Sequence, residues 1–224
     1  MLVLLVGPLA ACGGGSKTSA STQSARDAYR AALEKTTAAG TESVTIAATV
    51  QLGGQSASVD GSGAVSTSSS RGSLSLRVHA GPIETTVDEV DTGTAIFLHA
   101  PLFTPMLPGG KSWLKVDLAK LGGLQGLLAS PSAYLGALQS PKTVTRIGPS
   151  EYRVEPSKGT GSYDVTVGAD GYIHRVRLSQ QDPKLSATID LSNFGKAVVA
   201  PAPPPSKVYA FHGGTIPGLS GVSA

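Results

Sequence analysis

The stretch Val44-Thr45-Ile46-Ala47-Ala48-Thr49-Val50-Gln51-Leu52-Gly53-Gly54 decides the architecture. Val44, Ile46, Ala48, Val50 and Leu52 alternate with Thr45, Ala47, Thr49 and Gln51, the period of a strand with one face buried and the other wet. Gly53-Gly54 then supplies a hairpin turn. Outward from this strand, Val59, Gly61, Gly63 and Val65 continue the alternation on small residues, and Leu74, Leu76 and Val78 repeat it before a turn at Gly81-Pro82. Ile83, Thr85 and Val87 carry a further strand and residues 95–100 another. Strands joined by such short turns form an antiparallel meander, not a parallel sheet with crossover helices.

Before the meander, residues 24–39 hold good helix formers and close at Gly40, a suitable C-cap. Ala25, Ala28, Tyr29, Ala32 and Leu33 share one face, so the helix is amphipathic and suited to packing on a sheet. The centre changes character. Residues 111–118 read as a strand that runs into a helix near Asp117, where Leu118, Leu121, Leu124, Leu127 and Leu128 recur at helical spacing. Gly122, Gly123 and Gly126 weaken that helix by about 1 kcal/mol each relative to alanine. Ser130-Pro131 caps a second short helix over 131–138. Strands resume over 143–147, 151–155, 162–167, 172–179 and 185–191, with a turn at Gly168-Ala169-Asp170-Gly171. The run Pro201-Ala202-Pro203-Pro204-Pro205 is expected to end the sheet, since proline cannot donate to a ladder. From Gly213 the tail is small and polar.

Composition narrows the function classes. A chain of 224 residues accommodates one domain with a sizeable core. Aromatic residues make up only 5%, so the interior is filled by Val, Leu, Ile and Ala. The net charge of +3 is spread over dispersed Lys and Arg, without the basic stripe and interleaved aromatics of a nucleic-acid binder. Catalytic constellations are missing. His79, His99, His174 and His212 are isolated and lack metal-ligand spacing. Glu84, Asp88, Glu89 and Asp91 lack the spacing and glycine of a calcium loop and read as a charged edge or turn. There is neither a G-x-S-x-G elbow nor a P-loop. The chain reads as a non-enzyme without metal or cofactor.

The N-terminus supplies an address. Residues 1–11 are almost wholly apolar yet far shorter than the roughly 20 residues of a membrane span, so they read as a signal-peptide core. No Lys or Arg precedes them, which points to a start placed further upstream. Leu9-Ala10-Ala11-Cys12 resembles a bacterial lipobox, and Cys12 is the only cysteine. The resemblance implies that Cys12 takes a diacylglyceryl group and becomes the mature N-terminus, anchored by acyl chains such as palmitate at the extracytoplasmic face of the cell membrane. Residues 12–23, with no apolar side chain larger than alanine after the cysteine, are expected to be a flexible tether. The domain is expected over 24–211, followed by a disordered tail over 212–224.

Three further segments resemble one family. Gly109-Gly110-Lys111-Ser112-Trp113-Leu114-Lys115-Val116-Asp117-Leu118 is similar to the G-x-W-x-K-V-D-L segment of lipoproteins of high-GC Gram-positive bacteria, the LppX/LprG/LprA group, related more distantly to LolA and LolB. Residues 165–171 with Arg175-Val176-Arg177-Leu178 look like its late hairpin. Leu191-Ser192-Asn193-Phe194-Gly195-Lys196 looks like its closing strand. The resemblance implies an α+β fold: a curved antiparallel sheet, an open half-barrel, wrapped around central short helices. It also implies a cell-envelope protein that carries or chaperones a lipid, a glycolipid or the acyl chains of a lipoprotein, with a membrane transporter as partner. A monomer is expected, with no nucleic acid. The competing reading is a non-catalytic envelope adaptor without a ligand cavity. Strand parity and helix spacing give the expected lining: Val44, Ile46, Val50, Leu76, Val78, Phe97, Trp113, Leu121, Leu124, Leu128, Leu135 and Ile189. Small inward residues, namely Ala48, Gly61, Gly63, Ala64 and Ala187, are expected to leave room.

Overall fold

The computed structural model describes residues 17–52, 54–102, 104–117, 138–157, 161–182 and 184–211. One helix, α1 (Lys17–Ala39), precedes the strands β1 (Thr41–Leu52), β2 (Gln55–Ser66), β3 (Arg71–Ala80), β4 (Ile83–Thr92), β5 (Ala95–His99) and β6 (Trp113–Asp117). After the centre come β7 (Pro141–Arg146), β8 (Glu151–Pro156), β9 (Ser162–Val167), β10 (Ile173–Gln181), β11 (Lys184–Ser192) and β12 (Val208–Phe211). All join one unclosed twelve-stranded sheet in the order β12-β6-β5-β4-β3-β2-β1-β11-β10-β9-β8-β7. The expected antiparallel meander is therefore present. The expected helices over 118–128 and 131–138 lie outside the described residues except at Leu138, as do residues 1–16 and 212–224.

Two expectations need correction. The proline run does not end the sheet: past a short 3-10 turn at Pro205–Lys207, β12 joins β6, and it does so in parallel, with Val208 opposite Trp113 and Ala210 opposite Lys115. Lys111 Nζ donates to the Ser206 carbonyl (2.8 Å) and fixes that return. Four residues are too few for alternation to show in a sequence. In addition, α1 begins at Lys17, so residues 17–23 continue the helix rather than forming tether.

The helix ends where its sequence says it should. Gly40 takes φ +72°, a value L-residues avoid, and its N–H closes on the Thr37 carbonyl. Upstream, Ala25, Tyr29, Ala32 and Leu33 are buried in the same core as Val144, Val154, Val165, Ile173, Ile189 and Leu191. Two buried hydrogen bonds set the helix on the sheet. Tyr29 Oη donates to the Leu138 carbonyl (2.8 Å), and Thr36 Oγ1 accepts from the Ile173 N–H (2.9 Å) while donating to Ala32 O.

Gly61 and Gly63 do not leave room. Gly61 pairs with Leu76 and Gly63 with Leu74, and a Cβ at Gly63 would stand 1.9 Å from the Ser73 carbonyl oxygen. At Gly61 the same clash is with Ser75 O at 2.2 Å. The β3 backbone and the Leu74 and Leu76 side chains occupy the space where side chains would project along the β2–β3 seam, and glycine alone admits that approach. Ala64 pairs with Ser43 and faces outward. A Gly63→Ala chain is therefore expected to lose at least 2–3 kcal/mol of stability in urea unfolding, the upper part of the overpacking range. Ala64→Ser should stay within about 0.5 kcal/mol of the parent. Equal midpoints for the Gly63 variant and the parent would refute the close approach of β3 at this position.

Candidate functional site

Residues paired across an antiparallel ladder point to the same side of the sheet, so the pairings define the inner face row by row. One row runs Leu191, Val44, Gly63, Leu74, Glu89, Leu98, Leu114 from β11 to β6. The next, moving along the strands, is Val165, Val176, Ile189, Ile46, Gly61, Leu76, Val87. Beyond it come Tyr163, Leu178, Ala187, Ala48, Val59, Val78, Thr85, and finally Leu185, Val50, Ala57, Ala80, Ile83. These rows are apolar apart from Glu89, Thr85 and the hydroxyl of Tyr163.

Its burial is graded. Val44 (1% exposed) and Ile189 (4%) belong to the closed core beneath α1. Ile46, Val59, Leu76, Val78, Val87 and Val50 are only half-buried, and Ile83 is 48% exposed. The inner face of β1 to β4 thus runs from a sealed end into a partly uncovered apolar strip.

Of the expected lining residues, Val44, Ile46, Val50, Leu76, Val78 and Ile189 come together on this face. Phe97 and Trp113 do not. Phe97 pairs with Lys115, and His99, Trp113 and Lys115 share its side of the sheet, opposite to Leu98, Leu114 and Val116. The His99 and Trp113 rings lie 5.3 Å apart there, and Lys115 Nζ sits 6.0 Å from the Phe97 ring centroid. Ala95 to Leu98 are buried throughout, so hydrophobicity gave no parity contrast in β5. The usable signal was Lys115, which places the whole Trp113 side away from the core. Leu121, Leu124, Leu128 and Leu135 lie outside the described residues.

Sequence reasoning also missed the carboxyls of the inner face. Glu89 and Asp91 are not part of a charged edge: they are 4% and 5% exposed and face the Leu74–Leu98 side of β4. Their neighbours Glu84 and Asp88 do lie outside, beside His79 and His99. Glu42 is 1% exposed, and neither of its carboxylate oxygens has a hydrogen-bond partner. Desolvation pushes Glu42 up to about 7. Glu89 rises to about 7 through burial and then through repulsion from Asp91. Burial also raises Asp91, against the opposing hydrogen bond from Gly93 N–H (2.7 Å). Near pH 5 these glutamates are neutral and suit an apolar wall.

Beside the sealed end, two connected hollows open along α1. The smaller, about 240 Å³, is lined by Arg26, Tyr29, Arg30, Leu33, Gln139, Ser140 and Pro141. The larger, about 490 Å³, is lined by Arg30, Leu33, Glu34, Thr37, Ala38 and Gln139. Among the described residues no group of three or more His, Cys, Asp or Glu side chains is placed to hold a metal ion, and no helix is long and apolar enough to cross a membrane.

The raised glutamates have a measurable consequence. Their folded values lie above those of the unfolded chain, so the native state holds protons that the unfolded state has released. Stability is fully present below about pH 4.5, falls as pH rises to about 7 and is flat above. Urea midpoints followed from pH 4.5 to 8 are expected to fall across that window, and Glu42→Gln is expected to flatten the fall by an amount on the order of 1–3 kcal/mol. Parallel curves for parent and variant would refute the assignment for Glu42.

No protein-family profile matches the sequence, and no curated protein matches it. Among solved structures, the chain is similar to LprF from Mycobacterium bovis, at 15% identity over 81% of this chain and 97% of that one, with a TM-score of 0.42. It is also similar to a DUF1329 family protein from Desulfovibrio piger, at 10% identity over 75% of this chain and 91% of that one, with a TM-score of 0.33. At these identities and TM-scores, neither likeness bears on ligand or activity.

Proposed function

We propose that this chain is a lipoprotein of the cell envelope, anchored through Cys12, that binds an amphiphile on the inner face of its sheet and carries or chaperones it. The observation that carries this reading is the half-buried apolar strip of Ile46, Val50, Val59, Leu76, Val78 and Val87, continuous with the closed core. Contiguous apolar surface of this kind is costly to leave in water and marks a binding face. A sixteen-carbon chain laid on it gains about 0.8 kcal/mol per buried methylene, roughly 12 kcal/mol gross, against which the costs of association are set. Binding of that kind needs no catalytic group.

The apolar tail supplies affinity without polar recognition, and the neutral glutamates keep the deeper wall compatible with it at mildly acidic pH. The anchor holds the domain beside its source of ligand. The expected monomer and the membrane-transporter partner belong to this same reading.

The test is native mass spectrometry of the full chain carrying Cys12→Ser, purified without detergent. Co-purified amphiphile is expected with the parent and should be lost or reduced at least tenfold in Val78→Asp, which places a charge in the middle of the strip. Absence of any bound amphiphile from the Cys12→Ser chain, after incubation with membrane lipid extract, would overturn the proposal.

A further inference from the structure

We infer that the hollows along α1 form a subsite for the acidic head and first chain segment of a single-chain anionic amphiphile. The inference rests on the binding reading above and names the ligand's head group. Three observations support it. The hollows share Arg30, Leu33 and Gln139, so they form one groove with two unlike ends. The narrow end carries two guanidinium groups, Arg26 and Arg30, and none of the described residues lining it is acidic. The wide end is lined by Arg30, Leu33, Thr37, Ala38 and Gln139, with Glu34 as the one acid among its described lining residues.

Charge decides which head fits. Arg26 Nη2 donates to the Lys142 carbonyl (2.7 Å), a neutral acceptor that does not offset the guanidinium charge. Among the described residues Arg30 meets the Asp27 carboxylate, at 4.0 Å and with both side chains more than half exposed, a contact worth little in water. Guanidinium pairs bind carboxylate or phosphate oxygens in fork geometry, more strongly than neutral partners do. A carboxylate or phosphate monoester at the narrow end therefore replaces poor contacts with good ones. A cationic or uncharged head gains nothing.

Size and position agree. The larger hollow, about 490 Å³, lies within the usual range for small-molecule sites. From Arg26 to Ala38 the helix advances about 18 Å, at 1.5 Å per residue, which accommodates an extended acyl segment. Leu33 and Tyr29 on the groove floor belong to the core cluster against which Ile46 and Leu76 pack. The groove thus borders the sealed end of the face proposed to bind the tail.

Calorimetric titration of the full chain carrying Cys12→Ser tests this with three probes: palmitate, hexadecanol and inorganic phosphate. Palmitate is expected to bind at least tenfold more tightly than hexadecanol, and phosphate alone more weakly than either. Arg26→Gln combined with Arg30→Gln should erase the advantage of palmitate and leave hexadecanol unchanged. Ala38→Trp, at an exposed helical position, should weaken both amphiphiles. Arginine variants that leave palmitate unchanged, or weaken both amphiphiles equally, would overturn the inference. So would phosphate binding as tightly as palmitate. If amphiphile still co-purifies in those cases, the broader binding reading survives. If no amphiphile binds the parent, both fall.

Discussion

An open sheet must cover its apolar face, and among the described residues α1 is the helix that does so. Twelve strands at about 4.8 Å spacing extend roughly 53 Å along the sheet, whereas a helix is about 10 Å across. Helix α1 packs in one buried cluster with residues of β7 to β11 and with Val44, Val65 and Leu74 of β1 to β3, tied there by Tyr29 and Thr36. Over β1 to β4 the described structure leaves Ile46, Val50, Leu76 and Val78 half-buried. The binding reading follows from that half-buried strip as a whole, and from no single residue.

The β2–β3 seam is closely packed. Gly61 and Gly63 let the β3 backbone pass where a side chain would stand, and the Leu76 and Leu74 side chains lie against them. Glycine here serves close approach, not cavity volume. The two apolar clusters on the inner face, one centred on α1 and the other on Ile96, Leu98, Leu114 and Val116, meet at β4, where Glu89 and Asp91 lie. Carboxyls at such a junction are tolerated because burial keeps Glu89 protonated up to about 7. The same wall becomes less hospitable to an apolar tail as pH rises past that point.

Much of the sheet was legible because its strands are long and one-sided. Thr45, Ala47 and Thr49 face out while Val44, Ile46 and Ala48 face in, and that contrast fixed both the element and its parity. Where contrast failed, so did the reading. In β5 every residue from Ala95 to Leu98 is buried, so Phe97 was placed on the wrong side. β12 is too short to show a period, and its parallel partner lies 95 residues upstream by the reach of Lys111 to Ser206. Glu89 and Asp91 were misjudged because a charged side chain in an alternating strand normally marks the wet face.

By itself the sequence determined the strands other than β12, the hairpin order, the helix end at Gly40 and the inward parity of β1, β3 and β11, since each depends on residues close together in the chain. Only the tertiary structure decided which carboxyls are buried, why Gly61 and Gly63 are glycine, and that Arg26 and Arg30 flank a groove beside Gln139. Those facts depend on what a distant segment brings within a few ångströms, and local periodicity carries no record of that.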